Sequence, residues 1–178
     1  MFKQGDILKI VHINTTVGKG GAALLMRTLS ENLYKEHNTS SNFIVGFSSM
    51  EEEMFFSINK QIKHFLGYRK ISRILSERFI QYRFFPQESK AIISEIERVK
   101  PEIIHLHNIH GGYFEISLLK KLSKLATVVW TFHDMFNFTG HCAYSFDCER
   151  WGIGCGNCMY LDTYPAIKMD RTSANLKY

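Results

Sequence analysis

No apolar run in the chain approaches the roughly 20 residues that a membrane-spanning helix requires. A secretory signal does not fit the start either, because MFKQGDILKIVHIN carries Asp6 and Lys9 where the apolar signal core would have to lie. These absences give the expectation of a cytoplasmic protein. Cysteine is missing until residue 142. All four cysteines, Cys142, Cys148, Cys155 and Cys158, fall within one 17-residue window. In a chain expected in the cytoplasm, such a cluster points to a metal more than to a disulfide framework. Acidic residues nearly vanish between Lys60 and Arg83, where Glu77 stands among seven bases. The formal net charge of the whole chain is +5, so the remainder is close to neutral. A nucleic-acid surface spread over the protein is therefore excluded, and one basic element is expected. Internal repeats and low-complexity segments are also missing.

What is present fits one globular domain. The chain has 178 residues, enough for a single sizeable core and too few for two. Apolar residues make up 45% and charged residues 22%, the usual balance of a soluble fold.

Ile7–Ile13 (ILKIVHI) is rich in branched apolar residues, as a buried parallel strand should be. A glycine-bearing turn follows, Asn14–Gly21. Ala22–Tyr34 then has helical spacing, with Leu25, Leu29 and Leu33 on one stripe. Asn42–Phe47 reads as the next strand. This order is a βαβ unit, which implies a parallel sheet with right-handed crossovers. Ser48–Ser57, with the acidic run Glu51–Glu53, reads as a loop. The spacing predicts a basic amphipathic helix over 59–85, broken by Pro86. A second helix is expected over Gln87–Lys100, with Ile92, Ile93, Ile96 and Val99 inward. A strand over Ile103–His107, a helix over Glu115–Leu125 and a buried strand over Thr127–Phe132 follow. Residues 134–164 hold few branched aliphatics and read as an irregular loop. Ala166–Tyr178 reads as the start of a helix. The fold class is α/β, a Rossmann-like parallel sheet with helices on both faces and an irregular Cys-rich loop at 140–160.

Four features could carry chemistry. The turn Val17–Gly21 (VGKGG) lets backbone approach a ligand, and the helix after it aims N–H groups at any phosphate. It is neither a GxGxxG fingerprint nor a P-loop, so a plain tight turn reads equally well. Three strands end in polar groups, at Asn14–Thr16, His107–Asn108 and His133–Asp134. Ligands of open parallel sheets bind at the carboxyl ends of strands. His105 and His107 share a face by the period of two. The cysteines are spaced C-x5-C-x6-C-x2-C, which suits a closed thiolate zinc site, with His141 able to replace one ligand. Reduced, unliganded cysteines and a redox CxxC are the alternatives. The basic helix over 59–85 could lie on an anionic membrane surface, or simply present a solvated face.

The run TVVWTFHDMFNFTGHCAY…DCERW…GCGNC resembles the N-terminal domain of bacterial glycosyltransferase family 4 enzymes. The group is the one that builds colanic acid, capsular and other exopolysaccharides. KIVHINTTVGKGGAA and KPEIIHLHNIHGGYFEISLLKKL agree with it, so the resemblance spans nearly the whole chain. It implies the GT-B fold, with residues 1–178 as the acceptor-side domain and the C-terminal donor domain, with its E-x7-E carboxylates, absent. It implies transfer of a hexosyl unit from a nucleotide diphosphate sugar to a glycan, with retention of configuration, and inactivity of the half alone. His133 matches the family histidine at the reaction centre. Gly20 and Gly21, with Gly18, match its glycine loop, and Asn108 and Asp134 lie on the same rim. No metal or other cofactor is implied for catalysis, so a zinc on Cys142, Cys148, Cys155 and Cys158 would be structural. The expected partners are a nucleotide-sugar donor and a glycan or lipid-linked acceptor, with peripheral contact at the inner membrane face through 59–85 and no nucleic acid. The alternative is a non-enzymatic Rossmann-like binding module with a zinc loop.

Overall fold

The computed structural model describes residues 7–48, 55–58, 71, 74 and 85–175. The basic helix expected over 59–85 and the acidic run Glu51–Glu53 thus fall almost wholly outside the described residues.

Five parallel strands form one sheet in the order β3-β2-β1-β4-β5. They are β1 (Lys9–Thr16), β2 (Ser40–Phe47), β3 (Phe55–Ser57), β4 (Ile103–Leu106) and β5 (Thr127–Trp130). Among the described residues the helices are α1 (Gly21–His37), α2 (Pro86–Val99), α3 (Leu118–Leu122) and α4 (Thr172–Asn175). The Rossmann-like α/β expectation holds. β1 lies at the centre and is covered on both faces, with Val11 and Ile13 buried on one and Ile10 and His12 buried on the other. Ile13 pairs with Ile44 on one side and Leu106 on the other. With Val11 and Ile104 these residues form the face covered by Ile92 and Ile96 of α2 and Leu118 and Leu122 of α3. The opposite face carries Phe43 and Val45 under Met26 of α1. Each fully buried Ile or Leu contributes about 1.5–3 kcal/mol by leaving water, which makes this two-sided core the main source of stability.

Local chemistry sets the element ends. α1 stops at Asn38, in the left-handed conformation that asparagine tolerates, with its N–H on the Tyr34 carbonyl. α2 begins with Pro86, whose missing N–H costs nothing in a first turn. Gly46 must be glycine, because a Cβ there would meet the Tyr113 ring at 2.6 Å.

Four details differ from the sequence expectation. Phe55–Ser57 pairs with β2 as a strand, where a loop was expected. The inward face of α1 is Ala23, Met26 and Ser30, whereas Leu25 is exposed. β5 is an edge strand with Val129 exposed, not a buried one. The final helix is one turn, Thr172–Asn175, within an otherwise irregular stretch.

Candidate active site

The carboxyl ends of β1 and β4 are tied together by side chains. Buried Asn14 accepts the Asn108 N–H on Oδ1 at 3.1 Å and donates through Nδ2 to the Thr16 carbonyl at 2.8 Å. The Thr15 hydroxyl donates to the His110 carbonyl at 2.8 Å, and the Tyr113 hydroxyl to the Asn108 carbonyl at 2.8 Å. Gly111 and Gly112 turn this loop with φ of 103° and 79°, values that favour glycine. Asn108 is therefore held chiefly through its backbone.

Across this floor runs a line of imidazoles. His12 Nδ1 lies 3.3 Å from His107 Nε2, and His107 Nδ1 lies 2.9 Å from His133 Nε2. His105 packs against His107 with ring centroids 4.2 Å apart and bonds Thr131 Oγ1 at 2.7 Å. Period two puts His12, His105 and His107 on the α1 side of the sheet, where His12 stacks on Phe43. Burial, then the nearby His105, lowers the His12 pKa to about 3. Burial and three neighbouring rings lower that of His107 to about 2. His133 is half-buried. Burial lowers its pKa too, against an upward pull from Asp134. All three rings are neutral near pH 7.

Asp134 forms a second polar centre. Its carboxylate accepts from His110 Nε2 at 3.0 Å and caps the short 3₁₀ turn Met135–Asn137 through the Phe136 N–H at 2.9 Å. His110 Nδ1 in turn meets the Tyr164 hydroxyl at 3.2 Å. Burial alone would push the Asp134 carboxyl up. The His110 and Phe136 bonds and the two imidazoles outweigh that and hold it below the usual range. Asp134 is thus a fixed anion that orients groups, with its oxygens already engaged.

Gly18, Gly20 and Gly21 are exposed, in the turn between β1 and α1. Gly20 has φ 89°, which favours glycine, whereas a Cβ at Gly20 or Gly21 would meet nothing within 4 Å. No acidic residue and no side-chain cap occupies the first turn of α1, so its N–H groups face outward. The open space above these glycines is what a ligand's close approach needs.

The cysteine loop is fastened to the second polar centre, with the Met135 N–H on the Ala143 carbonyl at 3.0 Å and the Ala143 N–H on the Tyr164 carbonyl at 2.9 Å. Cys142, Cys148, Cys155, Cys158 and His141 line a cavity of about 20 Å³, room for a single small ion. All four cysteines are unpaired. Burial, reinforced by neighbouring thiols, raises the Cys142, Cys155 and Cys158 pKa values. Raised values make poor nucleophiles and weigh against the redox alternative. His141 Nδ1 lies 3.1 Å from the Pro165 carbonyl, which leaves the Nε2 lone pair aimed at Cys158 Sγ, 3.3 Å away. That is the orientation of a metal-binding histidine with its second nitrogen anchored. The spacing is loose, however. Among the described residues, only His12, His105 and His107 bring three ligand atoms of His, Cys, Asp or Glu within 4.8 Å of one another. By proximity that histidine triplet could also take an ion, but His12 and His107 already bond each other and His105 bonds Thr131.

At the strand ends His107 bonds His133 and His110 bonds Asp134, while Asn108 bonds Asn14, Thr15 and Tyr113, and the cysteines line a cavity of their own. Sequence reasoning placed His107 at a polar strand end, but missed His12, His110 and Tyr164 as members of the site. His12 was read as part of an apolar run, although its spacing from Asn14 matches that of His105 from His107. A groove of about 560 Å³ lies elsewhere, between Leu119 of α3, Trp130 of β5 and Asn175, and no expected site residue lines it. Its walls are largely apolar.

No family model matches the chain, and no solved structure does. Over 173 residues, 92% of the chain, it is 27% identical to the Escherichia coli (strain K12) protein WcaC, named as a colanic acid biosynthesis glycosyl transferase. The match takes in 42% of that protein, so the chain spans less than half the length of the curated relative it matches. Among the described residues no helix is long and apolar enough to cross a membrane. In sequence, the chain is similar to the N-terminal part of a glycosyltransferase of the exopolysaccharide group.

Proposed function

We propose that the chain is the acceptor-side half of a GT-B glycosyltransferase, which moves a hexosyl unit from a nucleotide diphosphate sugar to a glycan with retention of configuration, and that it is inactive by itself. The carrying observation is His133, half-buried just after β5 and held by His107 at 2.9 Å. Sugar transfer develops charge on the sugar and on the leaving diphosphate, and fixed N–H groups stabilise such charge. His133 and the outward N–H groups at the start of α1 supply donors of that kind. Asn108 and Asp134 shape the rim. No step requires a metal.

The test is an assay of the intact protein with UDP- and GDP-hexoses and lipid-linked glycan acceptors. Acceptor-dependent release of the nucleotide diphosphate is expected, and His133→Ala should reduce it about a hundredfold or more. Tight glycan binding without turnover with any donor would favour the non-enzymatic binding module instead.

Two finer readings accompany this one. The cysteines and His141 fit a structural zinc by donor type, by cavity size and by the anchored His141. The sulfurs must draw inward to reach the roughly 3.8 Å separations implied by Zn–S bonds near 2.3 Å. The basic stretch Lys60–Arg83 suits docking of a cytoplasmic enzyme on the anionic inner membrane face. Charge reversal at Lys63, Arg69, Lys70 and Arg73 should weaken binding to vesicles containing anionic lipid. Unchanged binding would sink that reading.

A further inference from the structure

The line of rings from His12 to His133 contains a choice that the ring chemistry resolves. A neutral imidazole has one N–H and one bare nitrogen. Both contacts, 3.3 Å between His12 and His107 and 2.9 Å between His107 and His133, are hydrogen bonds only when all three rings point the same way. Two arrangements satisfy this. In the first, Nδ1 carries the proton on every ring. His12 donates to His107, His107 donates to His133, and His133 presents Nδ1–H outward. In the second, Nε2 carries it on every ring, and His133 presents a bare nitrogen.

The inner end decides between them. His12 Nε2 is buried and has no hydrogen-bond partner among the described residues. The second arrangement would strand an N–H there. The first strands only a lone pair, and orphaned buried donors are the rarer kind in proteins.

We propose that His12 and His107 act as positioning residues that fix the tautomer of His133, so that the site offers a ligand oxygen an N–H donor at Nδ1 and no general base. His12, buried under α1, thereby sets the polarity of a side chain two rings away. A sugar hydroxyl or a phosphate oxygen fits such a donor. That ligand class rests on the sugar-transfer reading, whereas the tautomer does not.

The test is long-range ¹H–¹⁵N correlation NMR of the chain labelled at histidine, at pH 7.5. Protonated Nδ1 and bare Nε2 on His12, His107 and His133 are expected. His12→Asn keeps a donor close to the Nδ1 position and should preserve the His133 tautomer. His12→Phe removes that donor and should convert His133 to a mixture of forms. Protonated Nε2 on His133 in the wild type, or metal-bound signals from His12 and His107, would overturn the proposal. So would an unchanged His133 spectrum in a folded His12→Phe variant. If neither variant folds, the wild-type spectrum alone decides. Because the readout is the ring itself, failed turnover in the intact protein would leave this result standing, and the reverse also holds.

Discussion

His107 Nδ1 stands 2.9 Å from His133 Nε2, although 26 residues separate them in the chain. The contact joins the end of β4 to the segment after β5. It makes the orientation of His133 depend on a ring that never faces solvent. The His107 backbone is fixed as well, with its carbonyl taking the Trp130 indole N–H at 3.0 Å and its N–H on the Ile13 carbonyl at 2.9 Å.

Removing that support should cost rate more than affinity. In the intact protein, His107→Leu should lower kcat about 10- to 100-fold with a smaller change in KM, because a displaced reactive group loses the geometry of the transition state. His107→Asn places an amide donor near the former Nδ1 and should recover part of the loss. Equal damage from both substitutions would show that His107 matters only as packing.

The same burial predicts acid sensitivity. Folded His12 and His107 titrate near 3 and 2, whereas unfolded histidine titrates near 6.5. Between these values the unfolded chain binds protons that the folded chain excludes. Stability is therefore complete above about pH 6.5 and falls as pH drops, approaching about 1.4 kcal/mol per pH unit for each ring. His105 and His133, which face the same rings, are also lowered and act in the same direction. Asp134 acts only below the carboxylate range, where its loss of charge removes further stability. Urea midpoints should decline from pH 7.5 to pH 5, and His12→Phe should flatten the decline. A flat wild-type profile would contradict the buried neutral rings.

Much of this was legible in the sequence, for a physical reason. Strands covered on both faces must be apolar on both faces, so ILKIVHI and IIHLH declared themselves. The three polar strand ends followed from the parallel sheet. What stayed hidden depended on tertiary partners. His12 looked like an interruption of a core strand until β4 placed His105 and His107 beside it. The inward face of α1 was misread because Leu25, Leu29 and Leu33 make the more hydrophobic stripe, yet the sheet admits Ala23, Met26 and Ser30. β3 has only three residues, too few for an alternation to show. The His110–Asp134 bond spans 24 residues and leaves no local trace.

Gly140 shows how closely the cysteine loop is fastened. A Cβ there would lie 2.2 Å from Thr172 Cβ and 2.7 Å from the Thr172 carbonyl oxygen. Thr172 cannot yield easily, since its hydroxyl accepts the Gly156 N–H at 2.8 Å and Asn175 donates to the Gly140 carbonyl at 2.8 Å. Gly140→Ala should therefore destabilise the chain by about 1–3 kcal/mol, the range for overpacking. It should also increase amide exchange across residues 140–158. A thermal midpoint unchanged within error would mean that the segment 170–175 does not pack there in solution.

Metal content separates the two surviving accounts of that loop. If zinc holds it, purified protein should contain about one zinc per chain, and chelation should lower the thermal midpoint without abolishing the Rossmann-like core, which is built from other residues. Cys155→Ser and Cys158→Ser should each reduce zinc occupancy. His141→Ala should do so only if its Nε2 is a direct ligand and not a neighbour hydrogen-bonded to Cys158. The raised thiol pKa values sharpen the test, because a metal must displace those protons. Zinc affinity should then fall steeply between pH 8 and pH 6, and binding should release protons that calorimetry in two buffers of different ionisation enthalpy can count. Thiols free of metal at every pH, with a midpoint indifferent to chelator, would leave four reduced cysteines packed in a loop and remove the structural zinc from the account.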